Sequence, residues 1–140
     1  MTLRQRCLAL GATTALALFG ATGCSRDAEV LGFVVDFDTF SDEIVKRVKQ
    51  AKDPSAGVDD AQKYLDSQKA DIKKKLAALK EVRNFQISAD TKKKIETSMT
   101  KNAEAVAGLM LNYVMRMATD KPFRAKLEKL IDDYKNTVTQ

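Results

Sequence analysis

The chain lacks histidine and tryptophan altogether, and its 140 residues include only two cysteines, two prolines and six glycines. Without histidine, the commonest metal ligand and the commonest general base are both missing. The sequence also contains no glycine-rich phosphate loop and no nucleophile elbow. Charged residues make up 31% of the chain, which excludes a protein that crosses a membrane many times. We therefore expect no catalytic residues, no bound metal and no cofactor.

The first 24 residues have the pattern of an export signal. Arg4 and Arg6 precede a run of twelve uncharged residues, 8–19. A helix of that length covers about 18 Å, whereas a bilayer core is about 30 Å thick, so this run is too short to span a membrane. The small-residue stretch 21–24, Ala-Thr-Gly-Cys, follows it. A basic start, a short apolar middle and a small-residue end together predict a signal peptide.

The stretch 21–24 resembles the lipobox of bacterial lipoproteins, in which a small residue precedes a cysteine. The resemblance implies cleavage between Gly23 and Cys24, so that residues 1–23 are the signal peptide. It also implies a diacylglycerol on the Cys24 sulfur and an acyl chain on the new amino group, which together form a stable membrane anchor. Ser25 after the cysteine then implies the outer membrane, facing the periplasm, if the organism has two membranes. The alternative is a plain secretory signal in which Cys24 is incidental.

Residues 24–140 form one predicted domain whose apolar residues follow a helical period. In the first segment they recur at steps of three and four residues from Val30 to Ala51, which indicates a helix rather than a strand. Because Cys7 leaves with the leader and Cys24 carries lipid, no thiol remains for a disulfide. We predict helices at about 27–52, 58–83, 89–118 and 121–138. Their short connections predict an all-α fold, an antiparallel up-down-up-down four-helix bundle.

Residues at the predicted helix ends support these boundaries. Asp27 is a predicted N-cap of the first helix, although a later start near Asp36 or Asp38 remains an alternative. The pair Asp53-Pro54 should end that helix, because the residue before proline avoids the helical region. Residues 55–60 read as a turn and N-cap before the second helix. Ser88 is the predicted N-cap of the third helix, and the stretch 119–122 should separate it from the fourth.

A cluster of basic residues flanks the predicted turn between the second and third helices. Residues 73–94 contain eight basic and two acidic side chains, for a net charge of +6. Because the second helix returns towards the start of the domain, this turn should lie at the same pole as Cys24. We predict contact with anionic lipid or glycan there, whereas the alternative is a solvated helix face. The candidate anion-binding residues are Lys73, Lys74, Lys75, Lys80, Arg83, Lys92, Lys93 and Lys94.

The remaining candidates have structural interpretations that compete with functional ones. The apolar density of 31–40 indicates burial in the bundle or a partner close to the anchor. Asn102 interrupts an apolar stripe, so it should set the register between helices or line a small polar cavity. Methionines at 99, 110 and 117 share one helix face, where core filling is favoured over Cu(I) binding. Adjacent carboxylates point about 100° apart on a helix and form no catalytic pair; they occur at Asp42-Glu43, Asp59-Asp60 and Asp132-Asp133.

These features predict a protein that binds rather than catalyses. We expect a non-enzymatic envelope lipoprotein that is held at the membrane by lipid and serves as a helical binding or scaffold module for a protein partner. The alternative is a periplasmic holdase, since small, basic, all-helical chaperones of the envelope share this composition. Nucleic acid is not an expected partner, because no aromatic residues interleave with the lysines. The identity of the partner and the oligomeric state do not follow from the sequence.

Overall fold

The computed structural model describes residues 25–82 and 86–139, and within these ranges the chain is helical, with no strand. The predicted leader 1–23, Cys24 and Arg83 lie outside the described residues. The elements are α1 (Asp27–Gln50), α2 (Pro54–Lys80), α3 (Ala89–Asn112), α4 (Val114–Thr119) and α5 (Lys121–Val138). The predicted all-α class is therefore confirmed for this part of the chain. None of these helices combines the length and apolarity needed to cross a bilayer.

Helix α1 follows the predicted apolar stripe closely. Its residues at 30, 33, 37, 40, 44 and 48 are all buried, and the helix begins at Asp27 rather than near Asp36 or Asp38. The predicted role of Asp27 as the cap of α1 is wrong. Its carboxylate accepts a hydrogen bond from the backbone N–H of Ser88 at 2.8 Å, because the start of α1 lies against the start of α3. The helix ends at Gln50, two residues before the predicted end.

Helix α2 begins earlier than predicted, at Pro54 rather than near residue 58. The carboxylate of Asp53 accepts hydrogen bonds from the backbone N–H groups of Ser55 and Ala56 at 3.1 and 3.2 Å. Proline suits the first helical position, because it lacks an N–H that would be left unpaired there. The predicted turn at 55–60 is therefore wrong, and its residues form the first turns of α2. The carboxylate cap at Asp53, five residues before the predicted start, explains the difference.

The predicted third helix is two helices that meet at Tyr113. The backbone of Tyr113 has φ −117° and ψ 16°, outside regular helix geometry, so α3 ends at Asn112 and α4 begins at Val114. The Tyr113 hydroxyl donates to the carbonyl of Val48 at 3.2 Å, and its ring packs edge-on against Phe123 with centroids 5.5 Å apart. Contacts with α1 and α5 thus hold the residue at which the helix breaks.

Helices α3 and α5 begin at the predicted positions, whereas α2 ends at Lys80, three residues before the predicted end. The Ser88 hydroxyl accepts from the backbone N–H of Thr91 at 3.2 Å and caps α3. The Asp120 carboxylate accepts from the backbone N–H of Phe123 at 2.9 Å and caps α5, with proline in the first turn of that helix. Side-chain caps satisfy N–H groups that a helix start leaves unpaired.

The helices do not pack in the order in which they occur along the chain. Helix α1 packs extensively against α2 and α3, and α5 packs against α2, α3 and α4, whereas the consecutive helices α2 and α3 share no extensive interface. All buried residues of the described chain lie between Val30 and Thr137, so a chain that starts at Ser25 keeps the whole described core. The largest fully buried side chains are Tyr134, Phe37, Phe123, Ile44, Leu65, Leu109, Leu127, Leu130 and Ile131.

Two polar contacts cross the core. Asn102 is fully buried, and its amide donates to the Asp38 carboxylate at 2.5 Å, which ties α3 to α1. The Ser98 hydroxyl donates to the same carboxylate oxygen at 2.6 Å. The second contact joins the Ser41 and Tyr134 hydroxyls at 2.8 Å. Asn102 thus bonds across a helix interface, as expected of a residue that sets register.

Candidate functional site

The first residues that the structure describes lie at one end of the helices, against Gln86 in the connection between α2 and α3. The backbone N–H of Arg26 donates to the carbonyl of Gln86 at 2.8 Å, one turn before α3. The Asp27 carboxylate accepts from the backbone N–H of Ser88, and hydrogen bonds from Ser88, Thr91 and Ser25 lower the pKa of that carboxyl. We call this end, where α1 and α3 begin and α2 ends, the proximal pole.

The sequence-predicted basic residues gather on both sides of this connection. Lys73, Lys74, Lys75 and Lys80 lie in the last turns of α2, and residues 92–94 lie in the first two turns of α3. The side chains of Lys74, Lys80, Lys93 and Lys94 are exposed, and those of Lys73, Lys75 and Lys92 are half-buried. The proximal pole therefore carries seven of the eight candidates, and Arg83 is the one outside the described residues.

These lysines differ in their local partners. Lys75 bridges two carboxylates, Asp71 at 2.8 Å and Asp36 at 2.9 Å, and these contacts raise its pKa. It thus ties α2 to α1 and is already neutralised within the protein. Among the residues that the structure describes, Lys74, Lys93 and Lys94 form no side-chain ion pair. The uncompensated charge of the proximal pole rests most clearly on these three side chains.

The lysines at the start of α3 do not stabilise their own helix. The N-terminus of a helix carries a partial positive charge, so cations there cost up to about 1 kcal/mol each and acids are favoured. Only Asp90 supplies an acid in the first turn of α3, which Lys92, Lys93 and Lys94 follow directly. The macrodipole therefore gives this run no stabilising role, and the exposed side chains of Lys93 and Lys94 face solvent.

A groove of about 400 Å³ opens at the proximal pole where α2 and α3 do not pack together. Its walls are mostly apolar and come from the end of α2, the start of α3 and the end of α5. Lys80, Lys92 and Glu96 are its charged members. We call it the α2–α3 groove, and its lining residues are Leu76, Leu79, Lys80, Ile87, Lys92, Ile95, Glu96, Met99, Val138 and Thr139.

A second cavity of about 340 Å³ lies between the start of α1 and the end of α2. Val30, Phe33 and Leu79 supply apolar walls, and the carboxylates of Glu29 and Asp36 lie at its edge. The apolar segment 31–40 contributes mainly to the core, since Phe33, Phe37 and Phe40 are buried, although Val35 is 64% exposed. Burial in the fold thus accounts for most of that segment.

An exposed apolar patch at the opposite end was not found by sequence reasoning. Leu111, Val114 and Met115 are 78%, 57% and 80% exposed around the break between α3 and α4. Leu111 and Val114, together with Met110 and Met117, border a shallow apolar cavity of about 390 Å³ beside α5. All three residues lie off the apolar stripe of the predicted third helix, and this offset is the feature by which the sequence could have revealed them. We call Leu111, Val114 and Met115 the distal patch.

The other candidates are accounted for by structural contacts. Met99, Met110 and Met117 pack against the core, which fits the core-filling role. The carboxylates of Glu43, Asp59, Asp60, Asp132 and Asp133 each form an ion pair with a lysine or arginine. Within the described ranges, no group of three metal-ligating side chains comes together.

One enzyme-like spacing appears in α3 and has a structural explanation. Ser98 and Lys101 are separated as in a Ser-x-x-Lys motif, in which the lysine activates the serine. Ser98 is buried, however, and its hydroxyl donates to the Asp38 carboxylate, whereas Lys101 is exposed. The serine therefore serves the contact between α1 and α3.

No protein-family model, curated protein or solved structure matches this chain. Its function is therefore inferred from its own residues and their arrangement.

Proposed function

We propose that this protein is a non-enzymatic envelope lipoprotein, held by lipid on Cys24, whose proximal pole lies on the membrane surface. Its body is an up-down-up-down four-helix bundle in which α3 and α4 together form the third helix, and α1 packs against an antiparallel α2 and a parallel α3. The bundle serves as a binding or scaffold module for a protein partner. In an organism with two membranes, it faces the periplasm from the outer membrane.

The observation that carries this proposal is the hydrogen bond between Arg26 and Gln86. Cys24 precedes Arg26 by two residues, which span at most about 7 Å in an extended chain. A lipid on Cys24 is therefore confined to the neighbourhood of the basic residues. An anchor and a cationic surface at the same end of a molecule suit contact with anionic headgroups.

Cross-helix contacts support the alternating directions of the helices, although α1 and α3 are packed neighbours that run parallel, unlike the antiparallel neighbours predicted from the short connections. Asp36 pairs with Lys75 and Arg47 pairs with Asp60, so residue numbers fall along α2 as they rise along α1. That order is the signature of antiparallel neighbours. Helix α3 runs with α1, since Asp27 contacts Ser88 near one end and Val48 contacts Tyr113 near the other.

The charges of the proximal pole are sufficient to orient the bundle. A lysine close to an anionic membrane surface contributes about 1 kcal/mol, within a Debye length of about 8 Å at physiological salt. Lys74, Lys93 and Lys94 have no ion pair among the described residues, so together they supply about 3 kcal/mol. This is enough to favour one orientation on a surface to which lipid already holds the chain.

Lipidation is tested by mass spectrometry of the native polypeptide isolated from bacterial membranes. We expect a chain that starts at Cys24 and carries diacylglycerol and an amide-linked acyl chain. The variant Cys24→Ala should retain its leader and carry no lipid. An unmodified leader on the native protein would contradict the lipoprotein assignment.

Membrane contact is tested by sedimentation of the chain from Ser25 with anionic phospholipid vesicles at low salt. We expect the triple variant Lys92→Glu, Lys93→Glu, Lys94→Glu to lose binding. The matched control changes Lys49, Lys52 and Lys121 to Glu; these exposed lysines lie at the opposite end and give the same change in net charge. Equal loss of binding in both variants would show that net charge, rather than the proximal pole, governs the contact.

A holdase is the second candidate function, and the distal patch is the observation that favours it. The distal patch exposes three large apolar side chains at the end away from the proposed anchor. Such a surface is suited to binding the apolar segments of an unfolded polypeptide. A holdase should suppress aggregation of an unfolded outer-membrane protein at a stoichiometric ratio. Changing Leu111, Val114 and Met115 to Ser should then remove the suppression, whereas a scaffold protein shows none in either form.

A further inference from the structure

The outer face of α3 and α4 carries a stripe of exposed apolar side chains. Its members follow one another at steps of four, three and four residues, which is the spacing with which one helix packs lengthwise against another. The stripe therefore suits a helix as its partner. We call it the α3–α4 stripe, and its members are Ala107, Leu111, Val114 and Ala118.

The stripe continues across the break at Tyr113. The backbone N–H of Tyr113 donates to the carbonyl of Leu109 at 3.2 Å, and the N–H of Met117 donates to the carbonyl of Tyr113 at 2.9 Å. Both bonds join residues four apart, as in a regular α-helix, so α4 extends α3 in nearly the same direction. The stripe thus runs for about 16 Å along one face of the third helix.

The charge distribution on this face fits a second copy of the same chain. Every exposed side chain in the stretch 105–119 is uncharged, although 31% of all residues are charged. Arg116, the charged residue of this stretch, is half-buried and pairs with Asp53 and Asp120. A two-fold axis parallel to a helix places each side chain of such a stripe beside its own copy, so charges there would repel. An uncharged stripe is free of this repulsion.

We propose that the α3–α4 stripe pairs with the same stripe of a second copy, in a two-fold symmetric dimer whose third helices run parallel. This inference rests on the proposed function and names the partner of the proposed scaffold module. Two chains anchored at their proximal poles in one membrane leaflet point the same way, so a rotation about the membrane normal relates them. Side chains of an upright helix project along the membrane plane, towards such a neighbour.

The two sides of the stripe differ in a way that selects the parallel arrangement. At about 100° per residue, Met115 lies on one side of the stripe, and Met110 and Met117 lie on the other. Met115 is 80% exposed, whereas the side of Met110 and Met117 borders the apolar cavity of about 390 Å³. In a parallel pair each Met115 faces the cavity of the other copy. In an antiparallel pair Met115 faces Met115 and cavity faces cavity.

The charged residues of that cavity do not oppose the contact. Arg124 and Glu128 line it from α5, and their side chains already pair with each other at 2.7 Å. The cavity therefore presents an apolar surface with balanced charge to the thioether of Met115. Sulfur in a flexible, unbranched side chain is well suited to fill such an irregular recess.

The size of the apolar face indicates a dimer that depends on the membrane anchor. Exposed apolar patches on single proteins cover about 300–600 Å², so two paired patches bury about 600–1,200 Å². Stable complexes bury about 1,200–2,000 Å². Pairing in solution is therefore weak, whereas anchoring in one leaflet holds two copies close together and raises their effective concentration, as a tether does.

The absence of cysteine after position 24 gives a direct test, because one introduced cysteine is then the only free thiol of a chain lipidated at Cys24. Ala107→Cys and Ala118→Cys report from the two ends of the stripe and leave the distal patch intact. Ala70→Cys, on an exposed position of α2, is the control. Each variant is oxidised with copper phenanthroline, both as the native chain in bacterial membranes and as the chain from Ser25 in solution. Non-reducing gels measure the disulfide-linked dimer.

We expect Ala107→Cys and Ala118→Cys both to form the dimer in membranes and Ala70→Cys to form little. An antiparallel pair can bring at most one of the two stripe positions against its own copy. In either stripe background, Leu111→Glu should lower the dimer yield about tenfold or more, because two carboxylates would face each other. Ser67→Glu gives the same change in net charge on an exposed position of α2 and should leave the yield unchanged.

The remaining outcomes separate this inference from the proposed function. Dimers at one stripe position alone would overturn the parallel arrangement. Equal yields at Ala70 and at the stripe, no dimer in either form of the protein, or crosslinks to a different protein would overturn pairing with a second copy. Dimers of the native chain without an introduced cysteine would reveal a free thiol at Cys24 and overturn the proposed function, and the chain from Ser25 would then test the stripe by itself. Dimers in membranes alone would support the dependence on the anchor.

Discussion

At the scale of single residues, the glycines show how position decides the effect of the same substitution. A Cβ on Gly57 would lie 2.7 Å from both the carbonyl oxygen of Arg47 and the Cβ of Ala51. Gly57 is therefore the point at which the start of α2 touches the end of α1. A Cβ on Gly32 or Gly108 would meet nothing within 4 Å, although both residues lie inside helices.

We expect Gly57→Ala to destabilise the fold by about 1–3 kcal/mol, because the clash involves backbone and forces α1 and α2 apart. Gly32→Ala and Gly108→Ala should instead stabilise it by about 0.5–1 kcal/mol, since alanine favours the helix and fits without strain. Urea unfolding of the three variants measures these differences. A stabilising Gly57→Ala would show that the two helices do not approach this closely.

Tyr134 gives a residue-scale prediction for the dependence of stability on pH. Burial raises the pKa of its phenol from 10.0 to about 12, against a hydrogen bond with Ser41 that lowers it. The folded state therefore holds this proton more tightly than the unfolded state. The resulting stabilisation is complete below pH 10 and is lost as the pH rises towards 12.

This loss is measured by urea unfolding at a series of alkaline pH values, with tyrosinate absorbance followed in parallel. Tyr134→Phe should reduce the slope of stability against pH in this range, because the titrating group is gone. It should also lower stability at neutral pH by about 1 kcal/mol through loss of the Ser41 hydrogen bond. An unchanged alkaline slope in the variant would mean that other groups dominate.

At the scale of the elements, side-chain caps and cross-helix contacts have distinct roles. Asp53, Ser88 and Asp120 each cap the helix that follows them, and these boundaries are encoded within a few residues of sequence. Asp27 was predicted to do the same for α1, but its carboxylate contacts Ser88, 61 residues away along the chain. A local pattern identifies a residue able to cap; the neighbouring helix decides which N–H it meets.

We expect Ser88→Ala to destabilise the protein by about 1 kcal/mol, since the first turn of α3 would lose its side-chain acceptor. Ser67→Ala is the matched control, because Ser67 is an exposed serine inside α2 and alanine is the better helix former there. Chemical denaturation of both variants gives the comparison. Equal stability of the two variants would argue against the cap at Ser88.

At the scale of the whole molecule, the distribution of charge separates two modes of membrane attachment. The proposed contact of the proximal pole is electrostatic, so it weakens as the Debye length shrinks from about 30 Å at 0.01 M salt to about 8 Å at 0.15 M. A lipid anchor is hydrophobic and is not weakened in this way.

The chain from Ser25 should therefore dissociate from anionic vesicles as salt rises, whereas the native lipidated chain should stay bound throughout. Sedimentation with vesicles over a range of salt concentrations measures both forms. The control is a zwitterionic vesicle, to which the chain from Ser25 should not bind at any salt concentration. Salt-resistant binding of that chain would point to an apolar contact in place of the charged one.

The helical class, most of the apolar stripes and several boundaries could be predicted from the sequence, because helical periodicity, proline chemistry and side-chain caps act within a few residues. The buried run from Val30 to Val48, the cap at Ser88 and the break within 119–122 belong to this group. For the site, sequence identified the basic residues on both sides of the α2–α3 connection. It did not show which of them, such as Lys75, are neutralised by a neighbouring helix.

The arrangement of the helices around one another depends on contacts between distant parts of the chain. Tertiary contacts break the third predicted helix at Tyr113, where Val48 and Phe123 hold the side chain. They also place α1 against both α2 and α3 and leave those two consecutive helices without an extensive interface, so that an apolar groove opens between them. These outcomes depend on which surfaces meet across long stretches of chain, and the periodicity of a single helix carries no information about its neighbours.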